Sequence, residues 1–331
     1  MTSYDWGSFP RVPDEAWTQS PLGDLALKYD TVENHGWYSN LERTVEQLAE
    51  FLSDGDLACD YSGGTGILVD RLRQHLPELS CGYLIADSSP KFLRLALEKL
   101  GDDERVGFRL ISYLKPEKRL QLLTEVLPEG SLPRPVDALV STNAIHLYYD
   151  LEDTLKSWRA VLRPGGRVFI QSGNLRNPEA ADDERIIDET VHGIAAAAEE
   201  IVRSDDRFAA YRDVTADKER MAAHDRLREK FFLPVRDLSH YTDALEASGF
   251  TMLSTERRRI EAKVDDWYEF LAAYHEGVIG WVGGSRRVEG SEPSEEAVAD
   301  RLELMKLAMR ETLGEDSFPC CWTYLMAERE G

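Results

Sequence analysis

A chain of 331 residues can bury a full α/β core and still carry a second region. Acidic residues outnumber basic ones by 61 to 39, a formal charge of −22, so the overall field repels nucleic acids and anionic membranes, leaving a small molecule as the expected partner. No apolar run of about 18 residues and no basic, apolar export start occurs, and Cys59, Cys81, Cys320 and Cys321 form no CxxC pair, so a soluble cytoplasmic protein with free thiols and no metal is expected.

In chain order, an aromatic segment over 29–38 leads into a helix over 41–52, with Ser39 or Asn40 available as its cap. Residues 1–40 are expected to form a lid over a ligand. Short apolar runs at 57–59, 83–86, 106–111, 136–140 and 168–170 alternate with helical periodicity. That alternation predicts βαβ units in a core spanning 41–173. A charged, helical insertion over 174–235 follows. Core structure then returns over 236–263, with a short helix stopped at Gly249 and a strand from Phe250 to about Thr255. A second helical insertion spans 264–317, with helices over 265–276 and 294–313 and a loop over 283–293. Residues 318–331 hold a last strand at 321–327. The architecture expected is a Rossmann-like, doubly wound, mostly parallel seven-stranded α/β sheet with helical lid insertions.

The densest chemistry is Asp60-Tyr61-Ser62-Gly63-Gly64-Thr65-Gly66, a turn between a strand and an amphipathic helix. Glycine lets the chain turn sharply and lets a ligand lie against the main chain. Amides at the following helix N-terminus favour a carboxylate or phosphate. A second strand ends in Asp87, about 20 residues beyond Gly66, where an acidic side chain accepts hydrogen bonds from ribose hydroxyls. After Gly64-Thr65-Gly66 comes Ile67-Leu68-Val69, so the third glycine of a dinucleotide fingerprint is missing, and no Gly-Lys-Ser/Thr marks a P-loop.

Taken together, the turn, Asp87-Ser88-Ser89-Pro90, the run from Val136 through Asn143 to His146, and Leu162-Arg163-Pro164-Gly165-Gly166-Arg167-Val168 resemble the successive motifs of the class I S-adenosylmethionine-dependent methyltransferases. The resemblance covers about residues 40–172. It implies S-adenosylmethionine as the methyl donor, with Asp60 on its amino group, the main chain at Tyr61, Ser62, Gly63 and Gly64 beside its methionine moiety, and Asp87 and Ser88 at its ribose. Ser112 and Tyr113 would contact the adenine, and Asn143 and Ala144 would lie next to the sulfonium. Ser62 stands where the family usually has its first loop glycine, and Ser112 where an aspartate is frequent.

Methyl transfer is an in-line displacement, so the protein must align the acceptor, exclude water and, for a protonated acceptor, supply a base. His146, three residues past Asn143, is placed for that role or for packing the loop at Tyr148 and Tyr149. Tyr38, Tyr148, His275 and Trp281 are the candidate substrate contacts. His275 and Trp281 adjoin flexible glycines that could close a pocket, or His275 could sit at a helix end stopped by Gly277. No Asn/Asp-Pro-Pro-aromatic tetrapeptide follows the fourth strand, which argues against DNA amino-methylation and for a small-molecule acceptor. Two other functions fit the same residues: a non-catalytic S-adenosylmethionine-binding module, and a nucleotide-dependent oxidoreductase.

Overall fold

A computed structural model describes residues 3–22 and 39–331. Its sheet has seven strands: β1 (Leu57–Tyr61), β2 (Gly82–Asp87), β3 (Val106–Leu110), β4 (Val136–Thr142), β5 (Leu162–Ser172), β6 (Phe250–Lys263) and β7 (Ser317–Arg329), in the spatial order β6-β7-β5-β4-β1-β2-β3. β7 runs antiparallel to both β5 and β6, and the other pairings are parallel. β1 and β2 are buried along their whole length, as strands covered on both faces must be. The doubly wound α/β fold is thus present, and strand order reverses between β1 and β4, where the carboxyl ends of an open sheet form a crevice.

Helices α1 (Asn40–Phe51), α2 (Ile67–His75) and α3 (Pro90–Leu100) cover one face, with Leu48, Leu72 and Leu93 packed on Val140 and Phe169. α3 starts where its composition says it should, with Pro90 in its first turn and Ser89 Oγ accepting from the Phe92 amide at 3.3 Å. α4 (Leu151–Val161) and a later helix, Leu238–Ala247, cover the other face through Leu155, Trp158, Tyr241 and Leu245.

The insertions make a third core. α5 (Thr190–Ser204) and α6 (Lys218–Phe231) from the first pack with α7 (Val264–Ala273) and α8 (Glu295–Leu313) from the second, burying Val191, Ile194, Leu271, Leu304 and Met309. β6 and β7 reach into this core. They are far longer than the expected 250–255 and 321–327, because they continue as a ribbon past the end of β5 and carry Ile260, Phe318, Cys320 and Trp322 into the inserted helices. The hidden half reads Glu256-Arg257-Arg258-Arg259-Ile260-Glu261, whose charges resemble a loop but are paired: Arg257 with Glu184 at 2.5 Å, and Arg259 with Asp183 at 2.7 Å. Within 283–293, expected as loop, Arg286–Glu289 forms one helical turn.

Residues 3–20 lie away from the crevice. Trp6 stacks on Phe9 and meets Tyr4 edge-on, its indole N–H donates to the Glu104 carbonyl at 2.9 Å, and the Arg11 carbonyl accepts from the Phe108 amide at 2.8 Å. Residues 3–20 therefore strap the exposed edge of β3 and reach α3, where Arg94 donates to the Ser20 carbonyl. An edge strand needs such cover. The expected lid over 1–40 is corrected to this extent, and its aromatic part, Tyr38 included, lies outside the described residues. Among the described residues no helix is long and apolar enough to cross a membrane.

Candidate functional site

The turn after β1 is held by its own sterics. A Cβ at Gly63 would stand 2.6 Å from Asp60 Oδ2 and one at Gly66 would stand 2.7 Å from Leu100, whereas nothing lies within 4 Å of the position at Gly64. Gly64 thus presents bare main chain to open space. Ser62 is the unusual member: it occupies the left-handed region with φ at 63°, where a side chain is strained. Its Oγ accepts from the Tyr148 hydroxyl at 3.0 Å, and that hydroxyl also meets Ser141 Oγ at 2.9 Å.

Tyr148 is thereby corrected from substrate contact to support. Its ring lies edge-on to Tyr61 and Trp158. Tyr61, expected beside the ligand, likewise puts its ring into the core on the α4 face.

Two carboxylates lie beneath the turn. Asp87 accepts from the Gly64 amide at 2.9 Å and the Ser89 amide at 2.7 Å, so it ties the end of β2 to the turn. Burial pushes its pKa up while these backbone donors pull it back. With the Ser88 amide as a third backbone donor, the carboxylate still retains acceptor capacity for a further donor. Ser88 follows on the exposed side of the turn. Asp60 is 3% exposed and neither of its oxygens has a partner. Burial, and then the charge of Asp87, push its pKa up to about 7.

A small, partly open cleft lies over this turn. Ser62, Gly63, Gly64 and Thr65 form its floor, Asn40 and Leu41 of α1 and Ile67 and Leu68 of α2 flank it, and Thr142, Asn143 and Gln171 close it from β4 and β5. Three of the buried side chains that line it hold polar atoms without partners, Asn40 through Oδ1, Thr65 through Oγ1 and Gln171 through Nε2, and Asp60, beneath the Gly63 main chain, is a fourth. Buried polar groups are nearly always bonded, so a concentration of orphans marks where a ligand belongs. Gln171 and Thr65 were missed by sequence reasoning. The available signal was a polar residue closing the apolar run 168–170, since an amide buried in a parallel strand needs a partner.

Asn143 turns at φ 48°, its amide donating to the Gln171 carbonyl at 2.7 Å, and Ala144 is buried behind it. From Asn143 a polar chain leads away from the cleft. Ser172 Oγ lies 3.3 Å from Asn143 Oδ1 and 3.3 Å from His146 Nδ1, while His146 Nε2 lies 3.2 Å from Asn174 Nδ2 and 3.8 Å from Asp188 Oδ2. Asn174 Oδ1 accepts from the Asp188 amide at 2.9 Å, so its NH₂ donates to His146 Nε2 and the imidazole proton belongs on Nδ1. Burial drops the His146 pKa to about 4, so the ring is neutral at physiological pH. Burial raises Asp188 to about 7. The histidine thus reaches the cleft only through Ser172 and Asn143.

The remaining expected contacts lie elsewhere. Ser112 and Tyr113 begin an exposed hairpin in which 113–114 pair with 119–120; Tyr113 is 56% exposed and lines no part of the cleft. Trp281 is fully buried among the inserted helices with Ile279 and Leu304, and His275 faces Arg301 at 3.0 Å. Trp281 builds the inserted core and His275 is turned, half-buried, to Arg301, so neither lines the cleft, which corrects the expected substrate contacts.

Residues 59–168, about a third of the chain, match the family model of a methyltransferase domain. Curated relatives include the hybrid PKS-NRPS synthetase apdA of Emericella nidulans, 30% identical over 112 residues, and the highly reducing polyketide synthase PKS2 of Leptosphaeria maculans, 26% identical over 148 residues. These matches cover 34% and 42% of this chain but 3% and 6% of the relatives' own length. Solved structures similar to this chain include the YcgJ protein of Bacillus subtilis, with a TM-score of 0.49 at 13% identity over 89% of this chain and 99% of that one. A phosphoethanolamine N-methyltransferase of Haemonchus contortus gives 0.46 at 15% identity over 92% of this chain and 57% of that one.

Proposed function

We propose that this chain, whose residues 59–168 belong to the class I S-adenosylmethionine-dependent methyltransferases, transfers a methyl group from S-adenosylmethionine to a small-molecule acceptor. The observation that carries the reading is the set of orphaned polar atoms on Asn40, Thr65 and Gln171 around one cleft beside the bare main chain of Gly64, with the orphaned carboxyl of Asp60 just beneath the turn. A cationic donor with an α-amino group would satisfy Asp60 and Asn40, and it would convert the buried carboxyl of Asp60 into a paired carboxylate. Ser62 and Gly63 would flank its methionine moiety. Asp87, with acceptor capacity left beyond its backbone donors, would take a ribose hydroxyl.

The donor supplies an electrophilic methyl group, and the protein aligns the acceptor with it and keeps water away. The acceptor would lie between Asn143 and the inserted helices. His146, neutral with its proton on Nδ1, would hold Ser172 Oγ and through it the Asn143 side chain in place beside the acceptor, and Asn174 would fix the ring from the Asp188 side. The acidic charge supports an acceptor that is not a nucleic acid, and four free, buried cysteines fit a reducing, cytoplasmic setting.

Titration calorimetry with S-adenosylhomocysteine and with NAD tests the donor. Binding of the first alone supports the reading, and preference for NAD overturns it in favour of an oxidoreductase. A methylation screen against small-metabolite extracts then tests turnover; donor binding with no product from any extract would favour the non-catalytic module.

A further inference from the structure

Gln171 has a second neighbour besides the cleft. Its side chain is 1% exposed; Nε2 has no partner, whereas Oε1 accepts from the indole N–H of Trp322 on β7. An indole nitrogen can only donate, so it selects the carbonyl end of the amide and leaves the NH₂ for the cleft that Gln171 lines. Trp322 has no freedom to turn. It is fully buried, a Cβ at Gly173 would stand 2.6 Å from its ring, and its ring belongs to the core of the inserted helices. The same strand also carries Tyr324, whose hydroxyl donates to the carbonyl of Asn40 at 2.7 Å. β7 therefore holds two of the residues that line the cleft, one on β5 and one at the start of α1.

The orphaned atoms differ in sign. Asp60, once ionised, and Asn40 Oδ1 only accept, Thr65 Oγ1 can do either, and Gln171 Nε2 only donates. An ammonium satisfies the acceptors and leaves Gln171 wanting an oxygen. An α-amino acid group supplies both from adjacent atoms.

We propose that Gln171, oriented by Trp322, binds the α-carboxylate of the donor's aminoacyl end, and that Trp322 is a positioning residue for it. The inference rests on S-adenosylmethionine being the donor. It makes the inserted helices part of the donor site, since they hold the ring that orients the amide.

Three ligands separate the terms in calorimetry: S-adenosylhomocysteine, its decarboxylated analogue, which keeps the ammonium, and 5′-methylthioadenosine, which lacks the whole aminoacyl group. Gln171→Leu and Trp322→Phe should each weaken S-adenosylhomocysteine by about tenfold or more, the scale of a hydrogen bond to a charged group. The other two ligands should change by less than about twofold, which also reports that the variants are folded. Trp322→Phe keeps most of the ring volume and removes the N–H. Equal weakening of all three ligands would overturn the proposal, by making both residues supports of the fold. Unchanged S-adenosylhomocysteine affinity in Gln171→Leu would overturn it too, by giving the amide to the acceptor. Failure of the unaltered protein to bind any of the three would overturn the donor reading, and this inference with it.

Discussion

Tyr148 donates its hydroxyl hydrogen to Ser62 Oγ over 3.0 Å, across a separation of 86 residues. The bond fastens a strained serine at the point where the main chain turns under the cleft. Left-handed backbone at a non-glycine residue costs about 1–3 kcal/mol and persists only where its surroundings enforce it. Tyr148→Phe should therefore lower the thermal midpoint by a few degrees, as expected for a loss of roughly 1 kcal/mol, and weaken S-adenosylhomocysteine. Ser62→Gly, which removes the strain, should restore much of the affinity in the double variant. Independent, additive losses in the two single variants would show that the hydroxyl does not serve the turn.

Asp60 gives a pH prediction whose sign follows from burial. Its folded pKa, about 7, lies above the ordinary value of 3.8, so the folded protein binds more protons than the unfolded chain between those limits. Its contribution to stability consequently falls as pH rises through that window and levels off above about 7. Asp60→Asn, which mimics the neutral form, should stabilise the ligand-free protein at pH 8 by up to roughly 4 kcal/mol and do little at pH 4. Ligand affinity should move the other way: S-adenosylhomocysteine should bind the unaltered protein more tightly at pH 8 than at pH 6, and the variant weakly at both. Denaturant titrations at the three pH values, with matched calorimetry, read both effects.

Much of this site was legible because the turn announces itself. Asp60 to Gly66 and Asp87 lie close in sequence to the strand ends that carry them, and local chemistry fixes their places. Gln171 was illegible because its role depends on Trp322, 151 residues away. His275 and Trp281 misled for the opposite reason: a glycine-rich neighbourhood looks mobile, yet here it caps helices whose apolar faces close over Trp281. The long β6–β7 ribbon was hidden because alternating charges describe a solvated strand and a loop equally well until Glu184 and Asp183 are seen to pair with its arginines.

The His146–Asp188 relationship bears on turnover. His146, with its pKa near 4, stays neutral through the usual assay range, whereas Asp188, near 7, changes charge within it. If the Asp188 carboxylate helps fix the Asn174–His146–Ser172 chain that positions Asn143, the rate should rise with pH through about 7 as that carboxylate forms. Asp188→Asn should flatten that limb and slow turnover by about 10²-fold while sparing S-adenosylhomocysteine affinity. His146→Ala should slow turnover similarly. A pH profile unchanged in Asp188→Asn would detach Asp188 from the reaction, and full activity in His146→Ala would detach the histidine as well.

The inserted helices should respond to the ligands because their core and the donor cleft share β7. Trp322 contributes to that core and also holds Gln171, while Tyr324 contributes to it and holds Asn40. Ordering the cleft therefore tightens one edge of the inserted unit. Hydrogen exchange in α5 to α8 should slow modestly with S-adenosylhomocysteine alone and further when an acceptor is added, because the acceptor would fill the space between them and Asn143. In Trp322→Phe the response to S-adenosylhomocysteine should shrink in these helices but persist around Asp60 and Asp87, which on this reading would contact the donor without β7. Protection confined to the turn in the unaltered protein, with the helices indifferent to both ligands, would show that the insertions stand apart from the reaction. Slowing of equal size in the variant would place the coupling on a route other than β7.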